Sequence, residues 1–345
     1  MSLADVCVGL IVAGLTAYAV LGGADFGAGF WDLTAGGPAR GARVRGMVER
    51  SMSPVWEANH VWLIFVLVVY WTAFPVAFGS IFSTLYVPLG LAALGIIFRG
   101  TAFALRGQAA TINEARTLGA TFALSSVLTP FCFGAAIGGI ASGRVPVGNA
   151  AGDPFSSWLN PTSAVIGALA VLSGAYLAAV YMAADARRAG LPDLERAFRA
   201  RALGAGVVTG ALAIGGLFVI RSDARFLYDG LTSGTGLAFV IASAVCGATT
   251  LALVWSDRFN LARASSAGAV ACITVGWAVA QKPYLLPGHL TLDEAAASHT
   301  VLEALIISLG VGFVILVPSL VILYRLVLEG RLDKEYKPLG QRFEP

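Results

Sequence analysis

The stretch 3–32 reads LADVCVGLIVAGLTAYAVLGGADFGAGFWD, a run whose only charges are Asp5, Asp25 and Asp32. About 20 mostly apolar residues are enough to cross the hydrocarbon of a bilayer, so this run reads as a membrane span with length to spare for tilt. No basic segment precedes it, and it exceeds the about 7–15 apolar residues of a cleavable signal's core. It is therefore expected to stay in the membrane. The same composition persists throughout, with 57% hydrophobic residues, 12% charged residues and a mean hydropathy of +0.78. A soluble domain carries roughly 25% charged residues, so a water-soluble fold is excluded. The formal charge of +3 leaves no electrostatic footprint for nucleic acid.

Eight further apolar runs follow, at 54–78, 80–106, 118–140, 162–184, 202–220, 231–255, 261–281 and 300–328. The expected fold is an all-α polytopic membrane protein of nine transmembrane helices. Basic residues sort by side. Arg40, Arg43, Arg45 and Arg50 follow the first span; Arg99, Arg106 and Arg116 cluster at the end of the third and beyond it. Arg187, Arg188, Arg196, Arg199 and Arg201 follow the fifth, and Arg258 and Arg263 the seventh. Arg325, Arg331, Lys334, Lys337 and Arg342 come at the end, whereas the opposite side holds Arg144, Arg221, Arg225 and Lys282. The positive-inside rule makes the richer side cytoplasmic. The N-terminus is then outside and the C-terminus in the cytoplasm, as an odd number of spans requires. Most gaps are short, so consecutive helices should be antiparallel neighbours. The single membrane domain divides as four, four and one, over 1–140, 161–281 and 299–328. Longer polar connections are expected between the fourth and fifth spans and over 284–298.

The chemistry-bearing residues are few. Cys7, Cys132, Cys246 and Cys272 each sit in apolar sequence without a CxxC pair, so zinc and thioredoxin-like readings fail and thiol packing is the plain reading. No metal site and no catalytic residue of this chain's own is expected. Charges at membrane depth are functional hypotheses by default. Asp25 lies among Gly22, Gly23, Gly27 and Gly29, small residues that let a neighbouring helix come close; the competing reading is a cap on a broken helix. Glu57 lies in the first turns of the second span, where an acid also complements the helix dipole; Pro54 suits the first helical position. His60 is one turn from Glu57, so both can face one groove, and imidazole relays protons near neutral pH. Asp25, Glu57 and His60 thus share the inner third of the membrane and form the candidate proton path. Trp56, Asn59, Trp62 and Arg99 are candidates for support or quinone contact. For the tryptophans the alternative is an interfacial belt, and for Arg99 an ion pair or snorkelling to headgroups.

The segments 22–33 (GGADFGAGFWDL) and 53–64 (SPVWEANHVWLI) together resemble subunit II of the cytochrome bd-type quinol oxidases. Further matches run in order: Phe98–Arg99 and Arg106, Asn160–Pro161, Ala175–Tyr176, Pro287, Thr291–Leu292, 295–297, Pro318 and Tyr324. The resemblance implies two four-helix bundles plus a peripheral helix. It implies a heterodimer with subunit I, which carries haem b and haem d-type groups and the quinol-oxidising loop. The complex oxidises quinol and reduces dioxygen to water in a prokaryotic cell (inner) membrane, drawing its protons from the cytoplasm. It leaves room for a structural quinone in this chain and for a small accessory subunit. Asp25 and Glu57 match the family's acidic proton-path positions, and Trp56 its adjacent tryptophan. Many members read Trp-Asp-Gly-Asn-Gln where this chain has Trp56-Glu57-Ala58-Asn59-His60, so Glu57 reaches one methylene further and His60 adds a titratable group. Two other readings stand beside this one. A proton-coupled secondary transporter also carries acids in Gly-rich helices, though near the midplane; a pure assembly scaffold would make both acids silent.

Overall fold

In a computed structural model, residues 2–52 and 56–329 are described. The proposed helix start at Ser53 and Pro54, and the terminal Arg331, Lys334, Lys337 and Arg342, lie outside them. The chain is almost entirely helical. It begins with α1 (Leu3–Ala17), whose N-cap Ser2 and Asp5 form a reciprocal capping box. A π-helical turn, Tyr18–Gly22, then leads without interruption into α2 (Gly23–Leu33). There follow α3 (Pro38–Met52), α4 (Trp56–Ala73), α5 (Pro75–Thr84), α6 (Tyr86–Arg106) and α7 (Ile112–Ala141). The remaining long helices are α8 (Pro161–Arg188), α9 (Pro192–Asp223), α11 (Gly234–Trp255), α12 (Phe259–Gln281) and α14 (His299–Leu328), with short α10 (Arg225–Thr232) and α13 (Leu292–Ala295) between them.

Among the described residues, 8 helices are long and apolar enough to cross a membrane, and α3 taken with α4 makes a bent ninth candidate. The polar motif residues Glu57, Asn59 and His60 dilute the apolar run of α4 itself. Several expected boundaries move. The run 54–78 stops at Ala73, because Phe74 (φ −137°, ψ 61°) breaks the helix ahead of Pro75. A residue before proline is pushed out of the helical region. The run 80–106 is divided at Leu85. The run 231–255 starts at Gly234, because residues from Arg225 onward turn back as α10. That second corner is made by Ala224 at φ −140°, ψ 62°, almost the backbone geometry of Phe74. The connection expected over 284–298 contains a small antiparallel hairpin, β1 (Tyr284–Leu286) and β2 (Leu290–Thr291), turned at Gly288 with φ +76°. Its Leu286 and Leu290 are buried, which recruits this segment of an otherwise all-α chain into the packed interior.

The centre of the molecule is α8. Over 175–186 it is buried on nearly all sides, by small residues such as Ala175, Ala178, Ala179 and Ala183; a helix apolar all round belongs in an interior. It packs on α7, α9, α2 and α12. Its start is fixed by the N-cap Asn160, whose Oδ1 accepts from Ser163 N, with Pro161 in the first turn. The α2–α8 crossing is exceptionally close: a Cβ at Gly27 would lie 1.9 Å from the carbonyl oxygen of Gly174. On the loop 142–160, Asp153 accepts from the amides of Ser156 (2.7 Å) and Phe155 (2.9 Å). These bonds hold its carboxyl below the usual carboxylate range.

At the end of α2, Asp32 is only 3% exposed and is gripped from both sides. Arg45 Nε of α3 donates to Oδ1 at 2.9 Å and Arg106 Nη1 of α6 to Oδ2 at 2.6 Å. This carboxylate pins the amphipathic α3 and the end of α6 to α2.

Two outcomes follow from this packing. Gly27→Ala should destabilise the purified protein by about 1–3 kcal/mol, as overpacking does, whereas Gly23→Ala should be near neutral, because its Cβ would meet only Leu177 at 3.9 Å. Equal melting temperatures for the two variants would refute the close crossing. Asp32→Asn leaves two arginines without their carboxylate and should cost about 3–5 kcal/mol, the range for breaking a buried pair, read as loss of thermal stability.

Candidate functional site

Asp25 falls in the first turn of α2, immediately after the π-helical turn. Such single-turn bulges re-aim the residues that follow and recur at functional sites. Here the carboxylate ends up 6% exposed between helices. Asn59 of α4, itself buried, donates through Nδ2 to Asp25 Oδ2 at 2.5 Å and to the Leu21 carbonyl at 3.4 Å. Its other face accepts, at 2.7 Å, a hydrogen bond from Tyr324 Oη of α14. A polar chain thus runs from the last long helix through α4 to the acid on α2.

Arg99 of α6 is 1% exposed and is the largest fully buried side chain among the described residues. It does not snorkel. Its Nε donates to Ser126 Oγ of α7 at 3.1 Å, and its guanidinium lies over Phe26 (4.7 Å) and Phe122 (5.3 Å). Ser126 Oγ in turn donates to the Phe122 carbonyl at 2.7 Å. Each of the two charged groups makes its direct side-chain hydrogen bond with a neutral residue, Asp25 accepting from Asn59 and Arg99 donating to Ser126. A charge held at membrane depth is costly unless compensated; here attraction through a low-dielectric interior and stacking on aromatic faces provide the compensation.

His60 is half-buried and turned inward. Its Nδ1 meets the Trp56 carbonyl at 2.9 Å, and its ring packs against Tyr18 (6.0 Å), Phe26 (6.1 Å) and Trp56 (6.4 Å). Trp56 also packs on Phe103 at 5.4 Å, and Trp62 lies edge-on to Phe65 at 6.2 Å. Glu57 goes the other way. It is exposed, on an outward stripe of α4 shared with Ile64, Val68 and Trp71. The groove that Glu57 and His60 were expected to share is therefore not formed: Asp25, Asn59, His60 and Arg99 are brought together, and Glu57 faces out of the chain.

Three participants were not singled out for the site by the sequence. Tyr324 stood only among the residues matching the family, in a largely apolar helix. Ser126 and Tyr18 come from distant turns of α7 and the π-helical segment. Among the described residues, no group of three or more His, Cys, Asp or Glu could hold a metal ion.

Residues 3–327 match the family model described as cytochrome bd terminal oxidase subunit II. A protein of Bacillus subtilis (strain 168), provisionally named a cytochrome bd menaquinol oxidase subunit II, is 22% identical over 332 residues, covering 92% of this chain and 93% of its own length. Subunit 2 of the Escherichia coli (strain K12) cytochrome bd-I ubiquinol oxidase is 27% identical over 136 residues, 39% of this chain and 34% of its own. In three dimensions the chain is similar to one from the solved bd oxidase of Geobacillus thermodenitrificans, with a TM-score of 0.76 and 25% identity, covering 95% of this chain and 99% of that one. A multi-pass helical chain with this match from end to end belongs to the cytochrome bd terminal oxidase subunit II family.

Proposed function

We propose that, within a membrane quinol oxidase, this chain is the haem-free half and carries a proton-uptake path whose buried acid is Asp25. The observation that carries the reading is the Asp25–Asn59–Tyr324 chain beside Arg99, a polar construction that packing alone would not require. A carboxylate desolvated this deeply is suited to taking and passing a proton. A proton-coupled carrier is not favoured, since the family is one of oxidase subunits.

The donor set does not fit a haem iron. The ring of His60 is packed by those of Tyr18, Phe26 and Trp56, while His289 lies against Gly143 and His299 against Glu303, so the described residues bring no two histidines together to hold a haem iron between them. Haem b and the d-type haem are accordingly assigned to subunit I, with the quinol and dioxygen chemistry. The exposed stripe of α4 supports placing that partner there. A carboxylate facing lipid at Glu57 would be expensive, whereas a partner with a polar group at the same depth would receive it and extend the path. The basic residues at the ends of α2, α6, α8, α11 and α14 support a cytoplasmic C-terminus and an outside N-terminus. The repeated corner at Phe74 and Ala224 supports two bundles, 1–140 and 161–281, with 299–328 as the additional helix.

The complex captured through a tag on this chain should show reduced-minus-oxidised haem bands from a stoichiometric second subunit; a colourless, solitary protein would remove the oxidase assignment. In that complex Asp25→Asn should slow dioxygen reduction on the order of 10²-fold, the lower range for loss of a proton-transfer group, with haem spectra unchanged. Glu57→Gln should slow it in the same direction. Wild-type turnover in both variants would leave this chain as scaffold only.

A further inference from the structure

Beside the Asp25–Asn59 bond lie two buried polar groups with work left to do. Arg99 Nη2 and Tyr18 Oη are both shielded from solvent and meet no hydrogen-bond partner among the described residues. Tyr18 is 7% exposed and Arg99 1%. Tyr18 meets the rings of Phe26 and His60, the chain neighbours of Asp25 and Asn59, and the Arg99 guanidinium lies over that same Phe26 ring, so the three groups share one part of the interior. An unpaired donor in the interior costs about 1–3 kcal/mol, and buried polar groups of this kind are ordinarily met by ordered water.

The placement of Tyr18 is built into the backbone. It opens the π-helical turn, and its ring lies back over Gly22: a Cβ there would fall 2.8 Å from the ring. The rings of Phe26, His60 and Phe133 hold it edge-on at 6.0–6.4 Å. A phenylalanine would satisfy all of that packing, so the hydroxyl is the part of Tyr18 that packing does not explain.

We propose that Tyr18 is a positioning residue whose hydroxyl, with the free arm of Arg99, holds ordered water against Asp25. The role rests on the proton-path reading above. A proton reaching that water passes to the Asp25 carboxylate and leaves neutral water behind; Tyr18 keeps its own proton, and Arg99 stays charged. Water suits the space because it accepts from Arg99 and Tyr18 while donating to the carboxylate, which a cation or an anion could not do.

The test uses the assembled oxidase in lipid nanodiscs. An electron-density or cryo-EM map that resolves water should show it within hydrogen-bond distance of both Tyr18 Oη and Arg99 Nη2. Tyr18→Phe should lower oxygen consumption by about 2- to 10-fold, the size of one neutral hydrogen bond. Its solvent deuterium isotope effect should rise while haem spectra and the KM for quinol stay unchanged. Gly22→Ala keeps the hydroxyl but displaces the ring, and should give the same pattern if Tyr18→Phe fails to assemble. A dry space between the two atoms, or wild-type turnover and isotope effect in both variants, overturns the proposal. Asp25→Asn separates the two levels: a silent variant overturns the proton path, and the water density still decides the site.

Discussion

Two opposite charges lie inside the helices without touching each other, and much of the first half of the molecule is arranged to permit it. Neither Asp25 nor Arg99 could stay ionised in hydrocarbon unaided. Bringing a partner to the acid needs Asn59, which needs α4 beside α2. Fixing the amide's orientation takes Tyr324 from α14, at the far end of the chain. Holding the guanidinium takes Ser126 and two aromatic faces from α2 and α7. The π-helical turn and the bare surface of Gly27 against α8 set the position of α2.

The fold was legible in the sequence wherever hydropathy speaks, because a span is a bulk property of some twenty residues. Its interruptions were less so. The break at Phe74 had a local cause in Pro75. The matching break at Ala224 precedes Arg225 and has no comparable signal. The hairpin depends on Leu286 and Leu290 finding a buried site made by other helices, which no window of sequence contains. In the site, Asp25 and Arg99 stood out because charge in an apolar run is conspicuous, and Asn59 came with its motif. Glu57 and His60 are three residues apart, about 60° short of a full helical turn, so one lies outside while the other turns in. Tyr18, Ser126 and Tyr324 are defined by contacts across the fold, so periodicity could not have found them.

The two corners share their backbone angles, yet the chemistry does not repeat. Among the described residues, the buried charged side chains are Asp25, Asp32 and Arg99, all from the first half of the chain. The corresponding interior of the second half is filled by alanines, valines and hydroxyl-bearing residues such as Thr162, Ser163, Thr250 and Ser266. The buried charges of the described residues are thus confined to the first half, and the buried polar groups of the second are neutral.

The clamp at Asp32 implies a sequence of events during biogenesis. Arg45 lies 13 residues from Asp32 in the sequence and Arg106 lies 74 away. In the finished protein both are mostly withdrawn from solvent and joined to one carboxylate. The Arg45 half of the clamp can form as soon as α3 lies beside α2, whereas the Arg106 half closes only when α6 has joined them.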